Sequence, residues 1–234
     1  MNAVGGMVDD LVRSAARLTD TCATLTDDDL RAPSLLPGWT RAHVLAHIAG
    51  SAEAYVRLLT WARTDTAPGR VSPPLDGEVG SSLDRLTEAA RQMPTGAWGN
   101  MVTALAGWHH PAWYTLRRGL RELETHHLDL NLGYRTSDWP PAYVAWALDD
   151  TLATLAARGF AVGTVTATDL ARSWELPPDG PRVEAAGHVL LGWLSGRTPA
   201  DGLVCDVPLE VLPVPPAWPQ PPTPGWGRAE QDTG

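Results

Sequence analysis

With 234 residues, 44% of them hydrophobic, the chain can bury a sizeable core, so wholesale disorder is excluded and one large domain, or a main domain with a smaller one, is expected. A formal charge of −9 and a pI near 5.1, with no run of positive charge, argue against nucleic acid and anionic membrane surfaces as partners. Two distant cysteines, Cys22 and Cys205, exclude a disulfide scaffold and a Cys-rich zinc site, and the lack of a signal-like start or a membrane-length apolar run points to the cytoplasm.

The spacing of Leu11, Ala15, Leu18, Cys22 and Leu25 predicts a first helix over about 8–26. A break follows at Pro33-Ser-Leu-Leu-Pro37-Gly38. Thr40 is a natural N-cap for a second helix carrying Val44, Leu45, Ile48, Ala52, Tyr55, Leu58 and Leu59. That helix ends before Pro68-Gly69, and Pro73-Pro74 extend the loop. A third helix is expected over 82–93, stopped by Pro94. Residues 98–108 are ambiguous, with Met101-Val-Thr-Ala-Leu either a short strand or an extended loop, and His109-His110 before Pro111 read as polar loop. The fourth helix is expected over 112–132, closed by Gly133. A fifth follows Pro140-Pro141 over 142–158, with Gly159 as its stop.

Beyond residue 160 the pattern changes. Phe160-Ala-Val-Gly-Thr-Val-Thr-Ala-Thr is rich in β-branched residues, Ser173-Trp-Glu-Leu alternates, and Arg182-Val-Glu-Ala reads as a third strand after a turn at 177–180. Residues 188–195 read as a short helix stopped at Gly196. The expected organisation is therefore mostly α: a helical bundle over 1–160, a small α+β domain over 161–213 and a Pro-rich tail over 214–234.

The chemistry concentrates on the fourth helix. Glu122 and His126 are four apart, so both project from one face and can close on one metal ion. A catalytic zinc takes three protein ligands and keeps one position open. His43 and His47 pair at the same spacing on the second helix, and His47 shares the apolar register of Val44, Ile48 and Ala52, which makes it a candidate third ligand from a facing helix. Glu124 and His127, three apart, compete for the same role. Arg118, Glu122, Thr125, His126 and Asp129 form a polar stripe that could equally be a solvated face, with Arg118–Glu122 as a surface pair. Within the metal reading, Asp129 is placed to orient the His126 imidazole. No G-x-S-x-G, Walker A or G-x-G-x-x-G pattern is present, so neither a serine nucleophile nor a nucleotide cradle is indicated.

Leu36-Pro-Gly-Trp-Thr-Arg-Ala-His-Val-Leu-Ala-His47 resembles the second-helix signature of the mycothiol-dependent maleylpyruvate isomerase family, a branch of the DinB-like metal-binding bundles. Arg121-Glu122-Leu-Glu-Thr-His126-His-Leu-Asp129-Leu is similar to that family's second metal segment, and Leu194-Ser-Gly-Arg197 fits its small C-terminal domain. The resemblance implies a DinB-like four-helix bundle with a small C-terminal α+β domain. It implies His47, Glu122 and His126 as ligands of zinc, or of another divalent metal in its place, with water or the thiol of mycothiol at the fourth position. It further implies Arg197 as the catalytic and cofactor-site residue that binds an anionic group. One departure is in the loop after the second helix, where the family offers an arginine and this chain reads Ser72-Pro-Pro-Leu-Asp76, with Arg70 nearby.

The expected activity is cis-trans isomerisation by reversible thiolate addition to an activated C=C bond, in a monomeric protein. A mycothiol S-transferase that retains the adduct is the first alternative, and a non-catalytic binding module on the same bundle is the second.

Overall fold

The computed structural model describes residues 3–67, 79–104, 107, 109–176 and 179–216. The chain divides into two compact units, which meet in sequence at Tyr134 and Arg135. The loop containing Arg70 and Ser72–Asp76, and the Pro-rich tail from residue 217 onward, lie outside the described residues. Among the described residues, no helix is long and apolar enough to cross a membrane.

The first unit is a four-helix bundle. Its long helices are α1 (Ala3–Cys22), α3 (Arg41–Thr64), α4 (Val79–Arg91) and α5 (Ala112–Asp129), with a short α2 (Asp27–Arg31) between the first two. Each long helix packs against two others, in the cyclic order α1, α4, α3, α5. The apolar stripes read from the sequence close on one core that includes Leu11, Leu18, Ile48, Leu59, Leu83, Leu86, Leu116 and Leu123. Small residues let the helices approach: a Cβ on Gly119 of α5 would lie 3.1 Å from Leu11 Cδ1 and 3.7 Å from the Tyr55 ring.

Three local features differ from the sequence expectation. The helix expected over 112–132 ends at Asp129, because Asn131, at φ 56°, leaves the helical conformation before Gly133 is reached. The first helix ends at Cys22, because Thr26 caps a new helix: its hydroxyl accepts from the Asp29 N–H, and the Asp29 carboxylate accepts from the Thr26 N–H. His109 and His110 are not loop residues; they form strand β2 (His109–Pro111), paired antiparallel with β1 (Met101–Thr103), and His110 is fully buried. Burial holds the His110 imidazole down, to a pKa of about 4.

The second unit begins with α6 (Pro141–Ala157), so the break between units precedes this helix rather than following it at the composition change near residue 160. α6 packs on α7 (Gly187–Leu194), and their buried Leu148, Leu152, Leu155, Leu190 and Leu194 form an apolar layer. A four-stranded mixed sheet supplies the other layer, with order β4 (Arg172–Glu175), β3 (Thr164–Ala167), β5 (Arg182–Ala185) and β6 (Val204–Cys205). β3 and β5 run parallel and present Val165, Ala167, Val183 and Ala185 to the buried face, which is the alternation expected of a sheet covered on one side.

Candidate metal centre

The start of α3 is fixed before the site is reached. The Thr40 hydroxyl accepts from the His43 N–H, and the His43 Nδ1 accepts in return from the Thr40 N–H at 3.1 Å. His43 is thereby used as a cap, and the site histidine is the next one along the face, His47. Arg41 ties this end of α3 to the far end of α5. Its Nε donates to the Leu130 carbonyl at 2.8 Å and its Nη2 to that of Asn131 at 3.1 Å, which satisfies acceptors that a helix C-terminus otherwise leaves open. With residue 41 beside 130 and residue 55 beside 122, α3 and α5 run antiparallel, and this brings His47 opposite the last two turns of α5.

Three donors converge there. His47 Nε2 lies 3.0 Å from Glu122 Oε2, and His126 Nε2 lies 3.2 Å from the same oxygen. One ligand atom from each residue falls within 4.8 Å of the others, so the set could hold one metal ion. Four ligands at about 2.0–2.1 Å around a tetrahedral zinc stand roughly 3.3 Å apart, close to these separations. The nitrogen and oxygen donors also suit zinc chemically. Exposure is graded across the set, from 39% for the His47 side chain through 27% for Glu122 to 9% for His126, so the centre opens on one side only. Trp39 stands edge-on to the His47 ring at 5.8 Å between centroids, forming part of the open rim.

The polar stripe of α5 is not a solvated face. Thr125, His126 and Asp129 are all buried. Asp129 Oδ2 lies 2.9 Å from His126 Nδ1, which leaves Nε2 directed at Glu122. Burial works against a charge on His126, but the hydrogen bonds to Asp129 and Glu122 prevail and push its pKa up to about 9. Burial likewise opposes ionisation of Glu122, and the hydrogen bonds from His126 and His47 outweigh it, holding the carboxyl well below the usual range. The Arg118 guanidinium sits 5.1 Å over the Tyr55 ring.

The competing pair on α5, Glu124 and His127, faces α1 instead. Arg17 donates to Glu124 at 2.5 Å, the Tyr134 hydroxyl donates to the other Glu124 oxygen, Thr21 Oγ1 lies 2.8 Å from His127 Nε2, and the Tyr134 ring stacks on His127. These groups are already committed to one another, so the pair is a buried tie between helices. Arg197 belongs to the second unit. It follows Gly196, whose φ of 71° ends α7, and its Nη1 donates to the Ser195 carbonyl at 2.8 Å.

Sequence reasoning overlooked Tyr55 and Arg41. Tyr55 lies two turns beyond His47, hence on the same face of α3, and its hydroxyl reaches Glu122 Oε1 at 3.4 Å. An aromatic residue at an apolar spacing reads as core, and this one is also core, with 3% exposure. The signal that separates the two roles is its phenol, which a buried tyrosine normally satisfies.

No curated protein matches the chain. Among solved structures, it is similar to the mycothiol-dependent maleylpyruvate isomerase, at 24% identity with a TM-score of 0.78. It is also similar to a histidine-to-alanine mutant of that enzyme, at 23% identity with a TM-score of 0.79. Each alignment covers 92% of this chain and 97% of the other. The family model described as the mycothiol maleylpyruvate isomerase N-terminal domain matches residues 11–131, more than half of the chain, and the chain therefore belongs to that family.

Proposed function

We propose that this protein is a zinc-containing, mycothiol-dependent cis-trans isomerase of the maleylpyruvate isomerase type. The observation that carries the proposal is the convergence of His47 Nε2, Glu122 Oε2 and His126 Nε2 at one partly open point. Three protein ligands with access on one side are the arrangement of a catalytic rather than a structural zinc site. Zinc bound there would hold a coordinated thiol as thiolate at neutral pH, the nucleophile needed for reversible addition to an activated double bond.

The chain's own residues divide the remaining work. Glu122 supplies the negative charge that favours a divalent cation over two neutral imidazoles. Asp129 fixes the His126 ring and its tautomer. Trp39 walls the exposed edge of His47, where a bulky thiol would approach. Arg197 is assigned the anionic group of substrate or cofactor, because its planar fork binds a carboxylate through two hydrogen bonds.

Metal analysis of protein purified without added zinc tests the centre. About one zinc per chain is expected, lost in His47→Ala and in Glu122→Gln. A metal-free protein that is indifferent to both substitutions would favour a non-catalytic binding module and end this reading. Given the metal, mass spectrometry of products formed with mycothiol and maleylpyruvate decides the reaction. A free trans isomer supports the isomerase, a retained adduct identifies an S-transferase, and turnover without thiol refutes the mechanism.

A further inference from the structure

We infer that the Tyr55 hydroxyl restricts Glu122 to a single coordinating oxygen and thereby keeps the fourth position of the metal centre open. The inference rests on the metal reading above and concerns a residue that acts through Glu122, so Tyr55 is a positioning residue.

The two oxygens of Glu122 are used differently. Oε2 is the one beside both histidines, at 3.0 Å from His47 Nε2 and 3.2 Å from His126 Nε2. Oε1 lies 3.4 Å from the Tyr55 hydroxyl, which donates to it. A carboxylate can bind a divalent ion through one oxygen or both. With both histidines in place, a second Glu122 oxygen would make four protein donors and take the position that a thiol or water needs. A phenol O–H directed at Oε1 opposes that rotation, since swinging Oε1 toward the metal would leave a buried donor without its acceptor.

Tyr55 is itself held firmly enough to do this. It is 3% exposed, and the Arg118 guanidinium covers its ring at 5.1 Å. Gly119 of α5 brings backbone close to that ring, as a Cβ there would lie 3.7 Å from Tyr55 Cδ2. The ring therefore has little room to follow Glu122, and the direction of its hydroxyl is set by packing.

The test uses Tyr55→Phe in the full chain, with cobalt(II) as a visible reporter of coordination number. Four-coordinate cobalt absorbs several times more strongly in the visible than five-coordinate cobalt. The wild-type protein should give the strong spectrum and should bind 2-mercaptoethanol with a thiolate-to-cobalt charge-transfer band. Tyr55→Phe should keep its fold by circular dichroism, lose most of the visible intensity and bind the thiol about tenfold more weakly, in the range seen when a partner of a metal ligand is removed. A variant with the wild-type spectrum and thiol affinity overturns the inference while leaving the metal centre standing. A wild-type protein that takes up no cobalt overturns the metal reading itself. Infrared difference spectra of the wild-type protein labelled with ¹³C-glutamate, with and without zinc, provide a second measurement that needs no variant. A wide splitting of the carboxylate stretches is expected for one-oxygen binding, and the narrow splitting of a chelating carboxylate would refute the proposal.

Discussion

Asp129→Asn separates two effects that act in opposite directions on the proposed metal centre. In the wild-type protein without metal, His126 holds a proton up to about pH 9, because its Nδ1 is 2.9 Å from Asp129 Oδ2 and its Nε2 is 3.2 Å from Glu122 Oε2. A metal can bind His126 only through a nitrogen free of its proton. At pH 7 that proton must be expelled against two pH units, a penalty of about 3 kcal/mol. Apparent zinc affinity should therefore climb close to tenfold per pH unit between 7 and 9 and level off above that. Asparagine at 129 can still accept from Nδ1–H but supplies no charge. Loss of the carboxylate should weaken zinc roughly 10–100-fold once proton competition is gone. At pH 7 the loss should be smaller, because His126 in the variant also gives up its proton more readily.

Competition titrations against a zinc-binding dye, from pH 7 to beyond pH 9, measure both limbs. The same histidine sets the stability of the metal-free protein. Its folded pKa is raised from 6.5 to about 9, so its contribution is fully present below pH 6.5 and is lost as pH rises through 9. Asp129→Asn should flatten that dependence in urea unfolding. Equal zinc affinity of variant and wild type above pH 9 would return Asp129 to a purely structural role. A wild-type affinity that does not change between pH 7 and 9 would refute the proton-competition argument.

Two further substitutions probe the supports of the site. Thr40→Ala removes the hydroxyl that accepts from the His43 N–H and should lower stability by about 1 kcal/mol in urea unfolding, with zinc affinity falling only if the frayed turn reaches His47. Arg17→Met leaves the fully buried Glu124 carboxylate without its cation and should cost about 3 kcal/mol at pH 7, the low end for a broken buried pair because the Arg17 side chain is 38% exposed. Burial already raises the Glu124 pKa, so the neutral acid is the better-tolerated form, and the Arg17→Met penalty should shrink as pH falls and Glu124 is protonated. A penalty that stays constant as pH falls would mean that Glu124 does not titrate in this network.

The sequence was most legible where one helix decides the outcome and least where two helices must meet. Thr40 as an N-cap is a local signal, and the structure starts α3 there; α4 instead ends at Arg91, ahead of Pro94, and α5 ends at Asp129, ahead of Gly133, with Asn131 at φ 56° taking the left-handed conformation after it. Thr26-Asp-Asp-Asp29 was an equally local capping signal, but the apolar Leu25 masked it by extending the helical spacing of α1. The strand at His109–Pro111 needs its partner, Met101–Thr103, before its extended backbone is satisfied, and neither three-residue segment declares itself alone.

Helix α5 shows the same limit within the site. It carries two Glu/His sets, Glu122 with His126 and Glu124 with His127, and spacing on one helix cannot rank them. What ranks them is the chemistry of the facing helices. α1 presents Arg17 and Thr21, a cation and a hydroxyl that consume the Glu124–His127 set by ion pairing and hydrogen bonding. α3 presents His47 and Tyr55, an imidazole that adds a donor to Glu122–His126 and a phenol that occupies only the outer oxygen of Glu122. A cation beside a Glu/His pair occupies its carboxylate, whereas a second imidazole adds a third donor that could hold a metal. The choice between two nearly equivalent pairs was thus written in residues 17 and 47, on different helices, and became readable only when the bundle set each against its own face of α5.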